Sequence, residues 1–80
     1  MAEYRLRIYE IEQEKPSPLA SLPECAIAAF NELIDGSIIP IGAALINSRQ
    51  EGRHLFLKVM HDSFDAVPEG AMIPTERVKL

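Results

Sequence analysis

The chain has 80 residues, of which 48% are hydrophobic and 25% are charged, and its formal net charge is −4. This length predicts one domain over residues 1–80, near the smallest size that folds without disulfides or a metal. Recurrent branched aliphatic residues argue against disorder, and no apolar run is long enough to span a bilayer. The acidic balance repels phosphate backbones, so direct nucleic-acid binding is not expected.

The single cysteine, Cys25, cannot form an intramolecular disulfide. This usage is typical of a reducing compartment and predicts a cytoplasmic protein. The N-terminal residues alternate in polarity, unlike a secretory signal. Glu24 beside Cys25 opposes a thiolate, so we interpret the cysteine as a packed apolar residue.

The first segment predicts a strand over residues 4–12. Its apolar positions change phase along the segment: Tyr4, Leu6 and Ile8 come first, and Tyr9 and Ile11 follow. Such a shift indicates either a β-bulge or a strand whose two faces are covered along different halves. Pro16 and Pro18 then predict an irregular connector over residues 13–20.

A helix is predicted from Ser21 to Asp35. Ser21 and Glu24 have the spacing of a capping box, Pro23 suits the first turn, and Gly36 is a natural terminator. The apolar residues at helical spacing are Ile27, Phe30, Leu33 and Ile34, with Ala26 beside them. This amphipathic pattern is typical of a helix that lies on a sheet.

Residues 41–61 predict a β-hairpin with its turn at residues 49–52. The second strand of this hairpin is apolar on both faces: Leu55, Leu57 and Val59 lie on one, and Phe56 and Met60 on the other with Lys58 between them. One helix can cover only one face of a sheet. The other face must therefore be covered by a second copy, a partner, a ligand or residues 62–74.

Residues 75–80 alternate and predict a short last strand beside the first one. The predicted fold is therefore α+β, in the order β-α-β-β-β, with one amphipathic helix packed on a small, mostly antiparallel sheet. The crossover through the helix allows one pairing to be parallel.

No motif indicates catalysis, a cofactor or a metal. His61, Asp62 and Ser63 include the residue types of a hydrolase triad, but neighbours on a strand end are expected to point in different directions. His54 and His61 are seven residues apart and should face opposite sides of a strand. No glycine-rich loop opens a helix. We therefore assign no catalytic, cofactor-binding or metal-binding residue.

The candidate partner-binding residues lie on the predicted uncovered face. Phe56 and Met60 are the main candidates, with Tyr9 or Ile46 beside them, because aromatic and Met side chains are favoured at interfaces. The acids Glu10, Glu12 and Glu14 recur at every second residue and should share one face. The simpler interpretation is a solvated strand end; if these acids have a function, we expect recognition of a basic surface before acid–base chemistry or cation binding.

Three functional hypotheses follow. The first is a non-enzymatic protein-binding domain that acts as a homodimer, or as an inhibitor or adaptor on a larger protein; small acidic proteins of phages that inhibit host machinery have this size and charge. The second is a small-molecule-binding module with its pocket between the sheet and residues 62–74. The third is an enzyme with its site at a dimer interface, using His54 or His61.

Overall fold

A computed structural model describes residues 4–13 and 22–79. Its elements in chain order are β1 (Leu6–Glu12), α1 (Leu22–Asp35), β2 (Ala44–Glu51), β3 (His54–Met60) and β4 (Thr75–Lys79). The predicted α+β class and the order β-α-β-β-β are confirmed. The predicted connector, the cap at Ser21 and the position of Glu14 lie outside the described residues.

The sheet has four strands in the order β2-β3-β1-β4. β3 pairs antiparallel with both β1 and β2. β4 lies beside β1, as predicted, and pairs with it in parallel. The strands on either side of the helix, β1 and β2, are not neighbours because β3 lies between them. β3 is therefore central, and a partner cannot add a strand to it.

The β2–β3 hairpin has a tighter turn than the sequence predicts. Strand β2 continues through Glu51, so the turn consists of Gly52 and Arg53 rather than residues 49–52. Gly52 has φ 58°, which suits the first central position of a type II′ turn. The only register shift in β2 and β3 lies between Leu45 and Asn47.

The helix ends in a Schellman motif with a serine in the left-handed position. The N–H of Ser37 donates to Ile34 O at 3.0 Å, and the N–H of Ile38 donates to Leu33 O at 2.9 Å. The positive φ of 62° belongs to Ser37 and not to Gly36. Gly36 instead continues the last helical turn through a hydrogen bond to Glu32 O, so the predicted terminator lies one residue too early.

Helix α1 packs on β2 and β3, and its Phe30 and Ile34 are partly buried against the core. Ala26, Ala29 and Leu33 are buried, whereas Ile27 is 55% exposed. The prediction that Ile27 lies in the apolar stripe is wrong. The alanines lie on the side of the helix that faces the sheet, and Ile27, one residue after Ala26, points away from that side. No described helix has the length and apolarity needed to cross a membrane.

The core lies between the helix and one face of the sheet. Its large, fully buried side chains are Tyr9, Ile11, Leu33, Ile39, Leu55, Leu57 and Val59. Tyr9 and Leu57 are opposite each other on β1 and β3, as are Ile11 and Leu55. The register between β1 and β3 is unbroken, so the phase shift in the first strand does not come from a bulge. It arises because the strand carries apolar residues on both faces, one toward the helix and one away from it.

Candidate binding site: the open sheet face

The side of the sheet that faces away from the helix forms a continuous surface, here called the open face. Strand alternation and register place on it Leu6, Ile8, Glu10 and Glu12 of β1, Ala44, Asn47, Arg49 and Glu51 of β2, His54, Phe56, Lys58 and Met60 of β3, and Thr75, Arg77 and Lys79 of β4. Leu57 on the other face is fully buried, whereas Met60 is 41% exposed. The helix therefore covers only one face of β3, as its sequence predicts.

One end of the open face is apolar and contains a groove of about 460 Å³. The floor of the groove includes Leu6, Met60 and Lys58, and Ile46 lies at its border on β2. The other wall consists of residues 67–71 and Ile73. Ile46, which is 49% exposed, and Met60 leave this end of the sheet accessible.

Backbone hydrogen bonds hold the wall of the groove beside the start of the first strand. The N–H of Val67 donates to Tyr4 O at 2.7 Å, and the N–H of Tyr4 donates to Val67 O at 3.5 Å. The N–H of Ile8 donates to Pro74 O at 2.9 Å. These hydrogen bonds hold both ends of the wall segment against the first strand, so the groove is formed by the hydrogen-bonded fold itself.

Residues 62–74 do not close over the open face. Phe64 is buried on the helix side, where its ring lies 6.5 Å from that of Tyr9 and under the guanidinium of Arg7 at 4.4 Å. Arg5 Nη1 donates to Phe64 O at 2.7 Å and holds the backbone there. The segment thus completes the core with Phe64 and lines the edge of the open face with residues 67–73.

Tyr9 lies on the covered side of the sheet, so its predicted place on the open face is wrong. Its side chain is fully buried opposite Leu57. Tyr9 has the same phase as Ile11, and both therefore point toward the helix layer. Tyr9 stabilises the core and does not present a surface to a partner.

The other end of the open face is charged and internally paired. The Glu10 carboxylate accepts from Arg77 Nε at 2.9 Å and lies 3.3 Å from His54 Nδ1, and its side chain is only 16% exposed. Arg49 stacks on Phe56, with its guanidinium carbon 4.7 Å from the ring centre, and pairs with Glu51 at 3.4 Å. Phe56 is therefore partly covered by a cation from the neighbouring strand.

The predicted acidic cluster was expected to form an acidic surface, but its described members lie among basic side chains. Glu12 shares the open face with Glu10 and stands opposite His54 and Lys79, while Glu14 lies outside the described residues. The described open face carries three acids (Glu10, Glu12 and Glu51) and four bases (Arg49, Lys58, Arg77 and Lys79). It is therefore nearly neutral, and the exposed acids Glu24, Glu32 and Asp35 lie on the helix instead.

The side chains of His61 and Ser63 converge, although their adjacency in sequence predicts divergence. His61 Nδ1 lies 2.6 Å from Ser63 Oγ and accepts from the Ser63 N–H at 3.0 Å. The turn that joins Phe64 N–H to His61 O bends the chain enough to permit these contacts. In the described part of the chain no hydrogen bond or ion pair joins the Asp62 carboxylate to His61, so the arrangement is a local turn cap and lacks the orienting acid of a triad.

Among the described residues no group of three or more His, Cys, Asp or Glu side chains could hold a metal ion. Cys25 is partly exposed near the start of the helix. His54 contacts Glu10 on the open face, whereas His61 Nε2 lies 3.3 Å from Ile41 O at the end of β3. The two histidines thus occupy separate environments.

Sequence reasoning placed Phe56, Lys58 and Met60 on this surface but missed Arg49 and Arg77. Their cross-strand neighbours depend on register, which a single sequence does not specify. No family model matches the chain, and no curated protein or solved structure matches it.

Proposed function

We propose that this protein is a non-enzymatic protein-binding domain that acts through its open face, chiefly as a homodimer. The observation that carries the proposal is the exposed apolar end of that face, where Leu6, Ile46 and Met60 surround a groove. Apolar patches of this kind on a folded chain mark interaction surfaces. Burial of Met60 and Ile46 supplies the driving force for association.

The charges of the open face favour a second copy over a strongly charged partner. Acids and bases alternate there, and Glu10 is already paired with Arg77. A strongly basic partner would meet Arg49 and Arg77, and a strongly acidic one would meet Glu12 and Glu51. A second copy offers both signs, so its carboxylates can meet exposed guanidinium groups. An inhibitor or adaptor role on a larger protein would use the same apolar end.

Amide NMR spectra at two protein concentrations test the proposal. We expect concentration-dependent shifts at open-face residues such as Lys58 and Met60, and unchanged shifts on the outer face of the helix, for example at Glu32. Shifts confined to the helix would show that association uses another surface. Shifts that do not depend on concentration would rule out self-association in the measured range.

A small-molecule-binding module is the second candidate, and the groove favours it. Its volume of about 460 Å³ lies in the range of ligand pockets, which is roughly 300–1,000 Å³. The groove lies between the sheet on one side and residues 67–71 with Ile73 on the other. A thermal-shift screen with a panel of metabolites tests this role, because a ligand that binds only the native state raises the melting temperature.

A further inference from the structure

The open face has a second depression, whose lining shares Lys58 with that of the apolar groove. This second depression, here called the cationic depression, has a volume of about 290 Å³. It is lined by Ile8, Asn47, Ser48, Arg49, Phe56 and Lys58. One lysine, Lys58, thus lines both cavities.

The cationic depression has two cations and no carboxylate in its lining. Arg49 pairs with Glu51, which lies outside the lining. Lys58 is partly buried and, among the described residues, makes no ion pair or hydrogen bond. An anion placed beside this ammonium would form a charge-assisted hydrogen bond with it.

We propose that the groove and the cationic depression together bind a small amphipathic carboxylate, with its acyl chain along Leu6 and Met60 and its carboxylate at Lys58. This inference rests on the second of the two proposed functions and names the class of ligand. Glu69 also lines the groove, but it is exposed on the outer wall, where water screens its charge. Lys58, which lines both cavities, is therefore the residue that recognises the head group.

Isothermal titration with decanoate, decanol and decylamine tests this assignment. The titrations use a protein concentration at which light scattering gives the monomer mass, because a second copy would compete for Met60. We expect decanoate to bind about tenfold more tightly than decanol, as one charge-assisted contact predicts, and decylamine to bind most weakly. Lys58→Met, which keeps the stem and removes the charge, should abolish the advantage of decanoate and leave decanol binding unchanged.

The possible failures are distinguishable. Equal binding of decanoate and decanol, unchanged by Lys58→Met, would overturn the anionic class while leaving a small-molecule function in place. Failure of all three compounds to bind the native chain would overturn the site itself. Binding of decanoate that persists in Ile46→Ser and Met60→Ser variants, with circular dichroism confirming their fold, would place the ligand elsewhere and also overturn the proposal.

Discussion

Leu6 and Met60 lie directly opposite each other on β1 and β3, on the side of the sheet that faces away from the helix. Both contribute to the groove, whose far wall is the segment before β4. Their pairing explains why both strands carry apolar residues on two faces. One set forms the core with the helix, and the other forms the apolar end of the open face.

The two faces of β3 should differ in their contribution to stability. Leu57 is fully buried, so Leu57→Ala should lower the free energy of unfolding by about 3 kcal/mol through lost burial and a residual cavity. Met60→Ala, on the open face, should cost less than about 1 kcal/mol in the monomer. Urea unfolding at low protein concentration measures both. Equal costs for the two variants would contradict the assignment of the faces.

The helix terminus offers a stabilising substitution. Ser37 has φ 62°, a conformation that costs a residue with a Cβ about 1 kcal/mol, and its exposed side chain makes no hydrogen bond in the described structure. Ser37→Gly should therefore raise the free energy of unfolding by about 1 kcal/mol.

Gly52→Ala is the matched substitution, and it should lower the free energy of unfolding. Gly52 has φ 58°, and an added Cβ would meet no atom within 4 Å, so the expected loss of about 1 kcal/mol comes from the backbone alone. Thermal unfolding of both variants checks the pair. A destabilised Ser37→Gly variant would show that the serine is required for another reason.

The charged end of the open face should contribute modestly and in a salt-dependent way. Glu10 contacts Arg77 and His54, so Glu10→Gln should cost about 0.5–1 kcal/mol at low ionic strength and less in high salt. Glu12→Gln is the control, because Glu12 has no ion pair among the described residues. Urea unfolding at two salt concentrations measures the difference. Equal effects of the two substitutions would exclude a specific role for the Glu10 contacts.

The elements and the two-faced character of β3 were predictable because they depend on local alternation and helical spacing. Tyr9 has the same phase as Ile11, which places both on the helix side of the sheet. The phase shift in the first strand, however, also allowed Tyr9 to be assigned to the open face. The contact of Arg49 with Phe56 and that of Arg77 with Glu10 depend on strand order and register, which arise from pairing of distant segments. The convergence of His61 and Ser63 depends on a tight turn that residue types alone do not define.

Association through the open face is tested most directly by the solution mass of two matched methionine variants. Met60 lies in the groove, whereas Met72 is 93% exposed and does not line it. Light scattering after size exclusion should give a dimer for the native chain and for Met72→Glu, and a monomer for Met60→Glu that remains folded by circular dichroism. A native chain that stays monomeric, or a Met60→Glu variant that stays dimeric, would contradict the account.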